Sequence, residues 1–399
     1  MELNNTNSNI HSARANMPSY NAVQINLQKP TVNAPQPSLY DYPISDGQLY
    51  YPPLSTTVNS DNRIKRSPSG IDDYDNYQEV DKYGNVIADI QYSKDKDALV
   101  QKITTKSPDG TILKKTLKNS ANFKSSNIVI TDKNGKILLS KDKTYEKIDE
   151  NNAKTVINGE TYNISGLKGD VIKVEHNGEE IQLDLNKMLK TDVKLLQLCI
   201  SPDNYPIRDN NITDEEKEKL FNRIKSLGGD DLFRLSKSVE HLQFLDEKSH
   251  EAFFVEHGKT LLLSPKDWEN SHMVAEHELG HAINHTFTHT LLSENDSFKN
   301  IRNYEKLNFK QSGNMTNGDK LFSSKFLDGN PDLAWSDAKT NGDEIDECNL
   351  RDETFAECYN NLNTMDIIHY DEEVLPMRTL SLFKYMPRTM AITEQLSQI

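Results

Sequence analysis

The chain has 399 residues and a formal net charge of -15 at pH 7, which argues against nucleic acid or an anionic membrane as its partner. Hydrophobic residues make up 35% of it, a low share for a globular protein, so we expect part of the chain to lie outside a packed core. Three cysteines cannot form a disulfide framework, and no apolar run reaches the roughly 18 residues of a membrane span.

Residues 1–77 are predicted to be disordered. They begin with a stretch rich in Asn, Ser and Thr that contains no apolar segment, so it encodes no conventional signal peptide. Six prolines follow among tyrosines between residues 28 and 56, which favours extended, solvated chain. Such a polar start is similar to the uncleaved secretion signals of bacterial type III effectors. We therefore expect secretion without a signal peptide, with a host cell as one destination.

Residues 78–185 are predicted to form an antiparallel β-meander. Asn-Gly and Asp-Gly pairs, such as Asn158-Gly159 and Asn177-Gly178, supply the positive φ angles that tight hairpins need. The first four turn glycines are 24 to 26 residues apart, which indicates a degenerate hairpin repeat. No clustered set of metal-binding residues occurs in this stretch of sequence. We expect it to be a spacer, a delivery element or a surface that binds a partner protein.

The remainder of the chain, residues 186–399, is predicted to combine helices with a small sheet. Thr213 and Glu216 have the spacing of a capping box ahead of an apolar pattern with helical periodicity. Gly228-Gly229 ends that pattern, and a second helix is expected from about Asp231 to Leu245.

Two short strands are predicted next, at residues 253–255 and 260–263. His257-Gly258 would form the turn between them. The stretch from Thr260 to Ser264 would present a sheet edge with which an extended peptide can pair.

Residues 277–281 read His-Glu-Leu-Gly-His and lie in a predicted helix. Histidines four positions apart lie on one face of a helix, so the imidazoles of His277 and His281 can reach the same metal ion. Glu278 follows the first histidine and is placed to accept a proton from an attacking water. The alternative interpretation is an ordinary core helix with two surface histidines.

A zinc site with one open position needs a third protein ligand. His285 and His289 continue the spacing of four, but a straight helix carries them away from the metal, so we expect them to be helix-face residues. Glu353 and Glu357 offer two carboxylates on one face of a later helix. One can bind zinc while the other accepts the N–H of a ligating histidine. The alternatives are Asp352, on the adjoining face, or simply an exposed acidic helix.

The motifs His-Glu-Leu-Gly-His at 277–281 and Glu-Thr-Phe-Ala-Glu at 353–357 resemble those of the gluzincin metalloproteases. The resemblance is to the anthrax lethal factor-like group and its clostridial Pro-Pro endopeptidase relatives in particular, and it covers about residues 240 to 365. Bacterial effector proteases injected into host cells carry a similar motif helix. The resemblance implies one Zn²⁺ per chain, with Glu278 as general base and Glu357 steadying a ligating histidine. The implied metal ligands are His277, His281 and Glu353.

The same resemblance implies an α+β fold with a zincin-like catalytic domain at residues 186–399. In that family a tyrosine a few residues before the glutamate ligand stabilises the transition state. This chain has no tyrosine between Tyr304 and Tyr359. The candidate donors to the oxyanion are therefore Tyr359, His369 and Tyr370.

The sequence therefore predicts a zinc-dependent endopeptidase that hydrolyses peptide bonds of a protein substrate, as an effector or toxin acting on host protein. Residues 291–350, between the two motifs, are long for a connection and would form a flap over the substrate or a specificity loop. A zinc hydrolase of a non-peptide amide and a non-catalytic binding module on a zincin scaffold are the alternatives. An intact Glu278 disfavours the second of these.

Overall fold

Strands dominate the first half of the described chain and helices the second. All of the described residues belong to one compact unit, Tyr51–Ile399. The computed structural model describes residues 64–71, 74–189, 213–244, 253–255, 259–263, 274–286, 291–311, 347–368 and 374–398, together with 319, 322–323 and 326–327. Residues 1–63, most of the region predicted to be disordered, lie outside the described residues.

Within the described residues, eleven strands form one antiparallel meander in which each strand pairs with the next along the chain. This confirms the predicted β-meander. The strands are β1 Ile64–Ile71, β2 Tyr74–Val80, β3 Val86–Asp95, β4 Ala98–Lys106, β5 Ile112–Asn119, β6 Phe123–Thr131, β7 Ile137–Lys147, β8 Asn152–Ile157, β9 Glu160–Ser165, β10 Val171–His176 and β11 Glu179–Asp184.

The sheet begins earlier than predicted. β1 and β2 pair from Ile64 onward, so residues 64–71 and 74–77 belong to the sheet and their predicted disorder is wrong. The alternation of apolar and polar residues in β2 is weak because a buried glutamate occupies a core position. Glu79 is 1% exposed, and Nζ of Lys384 donates a hydrogen bond to it at 2.9 Å.

The hairpin turns lie where the sequence predicts them. Asn158 and Gly159 have φ angles of 50° and 91°, and Asn177 and Gly178 have 50° and 82°. A two-residue hairpin loop of type I′ requires two positive φ values in a row. Glycine and asparagine tolerate that conformation better than other residues, so these pairs fix the register of the strands on either side.

Helices cover one face of the meander. Helices α3, α7 and α8 contact its strands. The helices are α1 Leu185–Met188, α2 Asp214–Lys225, α3 Gly229–Ser238, α4 Val274–Thr286, α5 Asp296–Gln311, α6 Glu347–Asn363, α7 Val374–Tyr385 and α8 Pro387–Ser397, with a 3₁₀ turn at Leu292–Glu294. None of the helices in the described part of the chain is long and apolar enough to cross a membrane.

The meander and the helices share one hydrophobic core, so the fold is α+β. Ile90, Ile103 and Ile128 of the sheet lie in the same buried cluster as Phe309 of α5 and Leu362 of α6. The predicted change of region near residue 185 is where the chain passes from β11 to α1. The strands before that point and the helices after it are therefore packed together.

A three-stranded sheet precedes the motif helix. Its strands are β12 His241–Phe244, β13 Phe253–Val255 and β14 Thr260–Leu263. The predicted pair of strands is confirmed, because β13 and β14 are antiparallel; its turn, His257-Gly258, lies outside the described residues. The predicted sheet edge at Thr260 is wrong. In the described sheet, β14 lies between β12 and β13, so β13 is an edge strand instead.

The two helices predicted ahead of this sheet are present with one change of boundary. Thr213 and Glu216 make both hydrogen bonds of a capping box at the start of α2. The next helix, α3, ends at Ser238 and does not continue to Leu245 as predicted. Residues 241–244 form β12 because their backbone pairs in parallel with β14.

The connection between the two motifs contains a helix that the sequence did not predict. In α5, Phe298 and Phe309 are fully buried, but so is Arg302. The Arg302 guanidinium donates to the carbonyl oxygen of Phe326 at 2.6 Å and to Oγ1 of Thr354 at 3.1 Å. A charged residue at a core position weakens the apolar periodicity that predicts a helix. The predicted flap falls largely on residues 312–346, most of which lie outside the described residues.

Candidate metal centre

Helices α4 and α6 cross at a glycine. A Cβ atom on Gly280 would lie 2.7 Å from the Cα atom of Ala356 and 2.9 Å from its carbonyl oxygen. Only glycine allows the two backbones to approach this closely. Gly280 is not one of the residues to which the sequence assigns a role, yet its close approach to Ala356 brings the motif histidines opposite Glu353 and Glu357.

The three residues predicted to bind the metal come together in the structure. Nε2 of His277 and Nε2 of His281 are 3.2 Å apart. The Glu353 carboxylate lies 3.5 Å from each of these nitrogens, one oxygen to each ring. All three residues offer ligand atoms within 4.8 Å of one another. Ligands at about 2.0–2.1 Å from a tetrahedral zinc ion are about 3.3–3.4 Å apart, so these separations have the size of a tetrahedral edge.

The second nitrogen of each ring sets its tautomer. Nδ1 of His277 lies 3.0 Å from Oε2 of Glu357, and Nδ1 of His281 lies 3.0 Å from Oδ1 of Asp352. A neutral imidazole that donates from Nδ1 carries a lone pair on Nε2. Both lone pairs then point toward the Glu353 carboxylate. A cation bound among these three groups relieves the repulsion between the lone pairs and the carboxylate. Imidazole and carboxylate donors of this kind fit a divalent metal, including zinc.

In the absence of a metal ion, the same carboxylates favour protonated histidines. Burial lowers the pKa of His277, but hydrogen bonds to Glu353 and Glu357 outweigh it, so the pKa lies above its usual value. Burial also lowers the pKa of His281, yet Asp352 and Glu353 raise it well above the usual value. Protons and a metal ion compete for the same lone pairs, so metal binding should release protons.

Asp352 holds one ligand and connects it to the next turn of α4. It accepts hydrogen bonds from Nε2 of His285 at 3.0 Å and from Nδ2 of Asn284 at 2.6 Å, besides its contact with His281. Burial raises the pKa of Asp352, but His281 and His285 hold it well below its usual range. His285, predicted to be a helix-face residue, therefore supports the centre through this carboxylate. The signal in the sequence was an acidic residue directly before Glu353.

The remaining predicted residues fall in different places. Glu278 is buried in α4, one residue after His277. The hydroxyl of Tyr359 donates to Asp231 at 2.7 Å and accepts from Arg234 at 3.1 Å. Two positions along a helix correspond to about 200° of rotation, so Tyr359 faces away from Glu357 and is no longer a candidate donor. His289, His369 and Tyr370 lie outside the described residues.

Comparisons with known protein families, with curated proteins and with solved structures give no match for this chain. The chemistry of the site is therefore inferred from its own geometry. That geometry consists of two imidazole nitrogens 3.2 Å apart and a carboxylate with one oxygen 3.5 Å from each of them, with a further carboxylate behind each histidine.

Proposed function

We propose that this protein is a zinc-dependent endopeptidase. The supporting observation is that Nε2 of His277, Nε2 of His281 and the Glu353 carboxylate converge at the spacing of a tetrahedral site. Three protein ligands leave a fourth position open, which is the arrangement of catalytic zinc sites, whereas structural sites have four protein ligands. Glu278 lies on the same helix as both histidines.

The residues of the chain have separate tasks in the proposed reaction. Zinc, when bound, makes water a better nucleophile near neutral pH and polarises the carbonyl oxygen of the substrate. Glu278 accepts the proton of the attacking water and passes it to the leaving amine. Glu357 and Asp352 hold the two imidazoles in fixed orientations, so the ligand geometry is set before the substrate arrives.

An extended peptide is the substrate that fits the neighbouring sheet. β13 is an edge strand of the described three-stranded sheet, and it contacts the motif helix α4. The outer side of an edge strand offers backbone N–H and C=O groups to an added strand. The proposal includes secretion of the protein and a host protein as its substrate.

Comparison of protein termini in a proteome treated with the wild-type protein or with Glu278→Gln tests this function. The substitution keeps the shape of the side chain and removes the proton acceptor. We expect the variant to retain one Zn²⁺ per chain while hydrolysis falls by ~10²-fold or more. Retained hydrolysis would remove Glu278 from the mechanism.

Two other outcomes would redirect the proposal. Stoichiometric zinc without any new protein termini would favour a non-peptide amide as substrate, or a binding module without catalysis. A wild-type protein that contains no zinc and takes up none on dialysis would refute the metal site itself.

A further inference from the structure

Buried lysines of the meander hold the C-terminal end of α6, the helix that carries Glu353. Nζ of Lys115, on β5, donates to the backbone carbonyl of Asn361 at 2.7 Å. Nζ of Lys141, on β7, donates to Oδ1 of Asn363 at 2.8 Å. The last carbonyls of a helix lack helical partners and carry partial negative charge, so a lysine stabilises them.

The contacts with the meander continue beyond the end of the helix. Lys124, on β6, forms an ion pair with Asp366. The hydroxyl of Tyr92, on β3, and Nε2 of Gln101, on β4, donate to the carbonyl oxygen of Ile368 at 2.7 Å and 2.6 Å. Five consecutive strands, β3 to β7, therefore bind the segment from residue 361 to residue 368.

The contact between Lys115 and Asn361 is connected to the metal centre by two further hydrogen bonds. Asn361, whose carbonyl Lys115 binds, donates from Nδ2 to Oε1 of Glu357 at 3.0 Å. The other carboxylate oxygen, Oε2, lies 3.0 Å from Nδ1 of His277. The orientation of the His277 ring therefore depends on where Asn361 places the Glu357 carboxylate.

We infer that the meander is part of the metal centre, with Lys115 and Asn361 as positioning residues that set Glu357, and through it His277, for metal binding. This inference rests on the proposed metal site and is independent of the reaction catalysed there. Ligands must be held within about 0.5 Å of their productive positions. The close approach of Gly280 and Ala356 and the hydrogen bonds of Asp352 fix α6 against α4 near the metal ligands. The contacts at residues 361–368 hold the C-terminal end of the same helix against the meander.

A purely structural role for Lys115 makes a different prediction. An anchor that only stabilises the fold changes the unfolding temperature of the metal-free protein and leaves the metal affinity of the folded chain unchanged. A positioning residue changes that affinity as well. Both quantities can be measured on the same full-length protein.

The test compares Lys115→Met with Lys114→Met in competition between the protein and a chelator for Zn²⁺. Methionine keeps the length of the side chain and removes the donor. Lys114 is the matched control, because it is the exposed neighbour on the same strand. We expect Lys115→Met to bind Zn²⁺ about 10-fold more weakly, and to change the absorption of Co²⁺ bound in place of zinc. Wild-type affinity in Lys115→Met would overturn the inference.

Asn361→Leu tests the same line of hydrogen bonds one step closer to the metal, and it decides the question if Lys115→Met does not fold. Leucine preserves the approximate shape and the backbone carbonyl, and it removes the donor to Glu357. We again expect affinity to fall about 10-fold, and an unchanged affinity would overturn the inference. If the wild-type protein binds no Zn²⁺, the proposed metal site fails; wild-type binding with unchanged variants refutes only the positioning role.

Discussion

Two buried ionic clusters meet on helix α6, and they are built differently. In the metal centre, the carboxylates of Asp352, Glu353 and Glu357 face histidines. In the second cluster, carboxylates face lysines and an arginine, and it contacts α6 through Tyr359 and Asn363. This lysine cluster consists of Lys141, Lys143, Arg234, Asp230, Asp231 and Glu394.

The formal charges of the two clusters differ, and the difference indicates different roles. In the lysine cluster three cations match three anions, so the cluster neutralises itself within the fold. In the metal centre, three carboxylates face two histidines that bind a metal only as neutral imidazoles, which leaves three negative charges for a bound cation to offset. Protons compete for the same place, because these carboxylates raise the pKa of His277 and His281. A buried cluster that neutralises itself needs no added ion, whereas one that gathers negative charge and convergent lone pairs is suited to bind a cation.

The largest expected effect is on metal binding. Glu353→Ala removes the third ligand, so we expect the protein to lose zinc and hydrolytic activity together. Glu357→Ala removes the acceptor for Nδ1 of His277, and we expect zinc affinity to fall only by ~10- to 100-fold. Zinc content after dialysis and chelator competition measure both effects. The reverse order of the two variants would show that Glu357 is the ligand.

The second largest expected effect is a loss of stability when the lysine cluster is disrupted, with zinc affinity unchanged. Burial lowers the pKa of Lys143, but Asp230 and Asp231 outweigh it and raise the pKa above its usual value. Lys143→Met leaves both carboxylates buried without this cation, so we expect the free energy of unfolding to fall by about 3–5 kcal/mol. Denaturant unfolding of the metal-free protein measures it.

Lys147→Met is the matched control for that variant, since Lys147 is exposed on the same strand. We expect it to leave the free energy of unfolding close to that of the wild type. Loss of zinc affinity with unchanged stability in Lys143→Met would contradict the distinction between the two clusters, because it would make the lysine cluster part of the metal centre.

A smaller effect is expected where the two motif helices touch. Helix propensity alone predicts that Gly280→Ala stabilises α4 by about 1 kcal/mol. The contact with the Ala356 backbone predicts the opposite, a loss of about 1–3 kcal/mol from overpacking together with weaker zinc binding. Thermal unfolding without zinc measures the change in stability. The further rise in unfolding temperature when zinc is added measures the change in zinc binding. Full rescue by a second change, Ala356→Gly, would disprove a backbone clash, because the nearest atoms are Cα and the carbonyl oxygen.

The clusters also differ in how far they could be predicted from the sequence. His277 and His281 are one helical turn apart, as are Glu353 and Glu357, so a local rule identified all four, and the structure brings them together. The lysine cluster follows no local rule. Lys143 pairs with Asp230, 87 residues away, and the partner of Lys141 is 253 residues away.

The same contrast applies to the fold. Hairpin turns such as Asn158-Gly159 are local, so the meander could be predicted from them. Its packing against the helices could not, because charged and polar side chains occupy core positions of the buried face. Lys115 and Gln101 are 1% and 0% exposed, although such residues indicate a surface in sequence. The core between the meander and the helices therefore contains ionic and polar groups whose partners lie far along the chain.

The smallest expected effect separates the charge of Lys115 from its hydrogen bond. Burial, helped by Lys141 and Lys143 and opposed by Asp366, lowers its pKa from 10.5 to about 7. Between these values the unfolded chain binds more protons than the folded one, so stability should increase with pH. Relative to Lys115→Met, we expect the wild-type free energy of unfolding, measured without metal, to rise by about 1 kcal/mol from pH 7 to pH 8. A flat difference would mean that the buried amine keeps its proton, and that a charged lysine holds the end of α6.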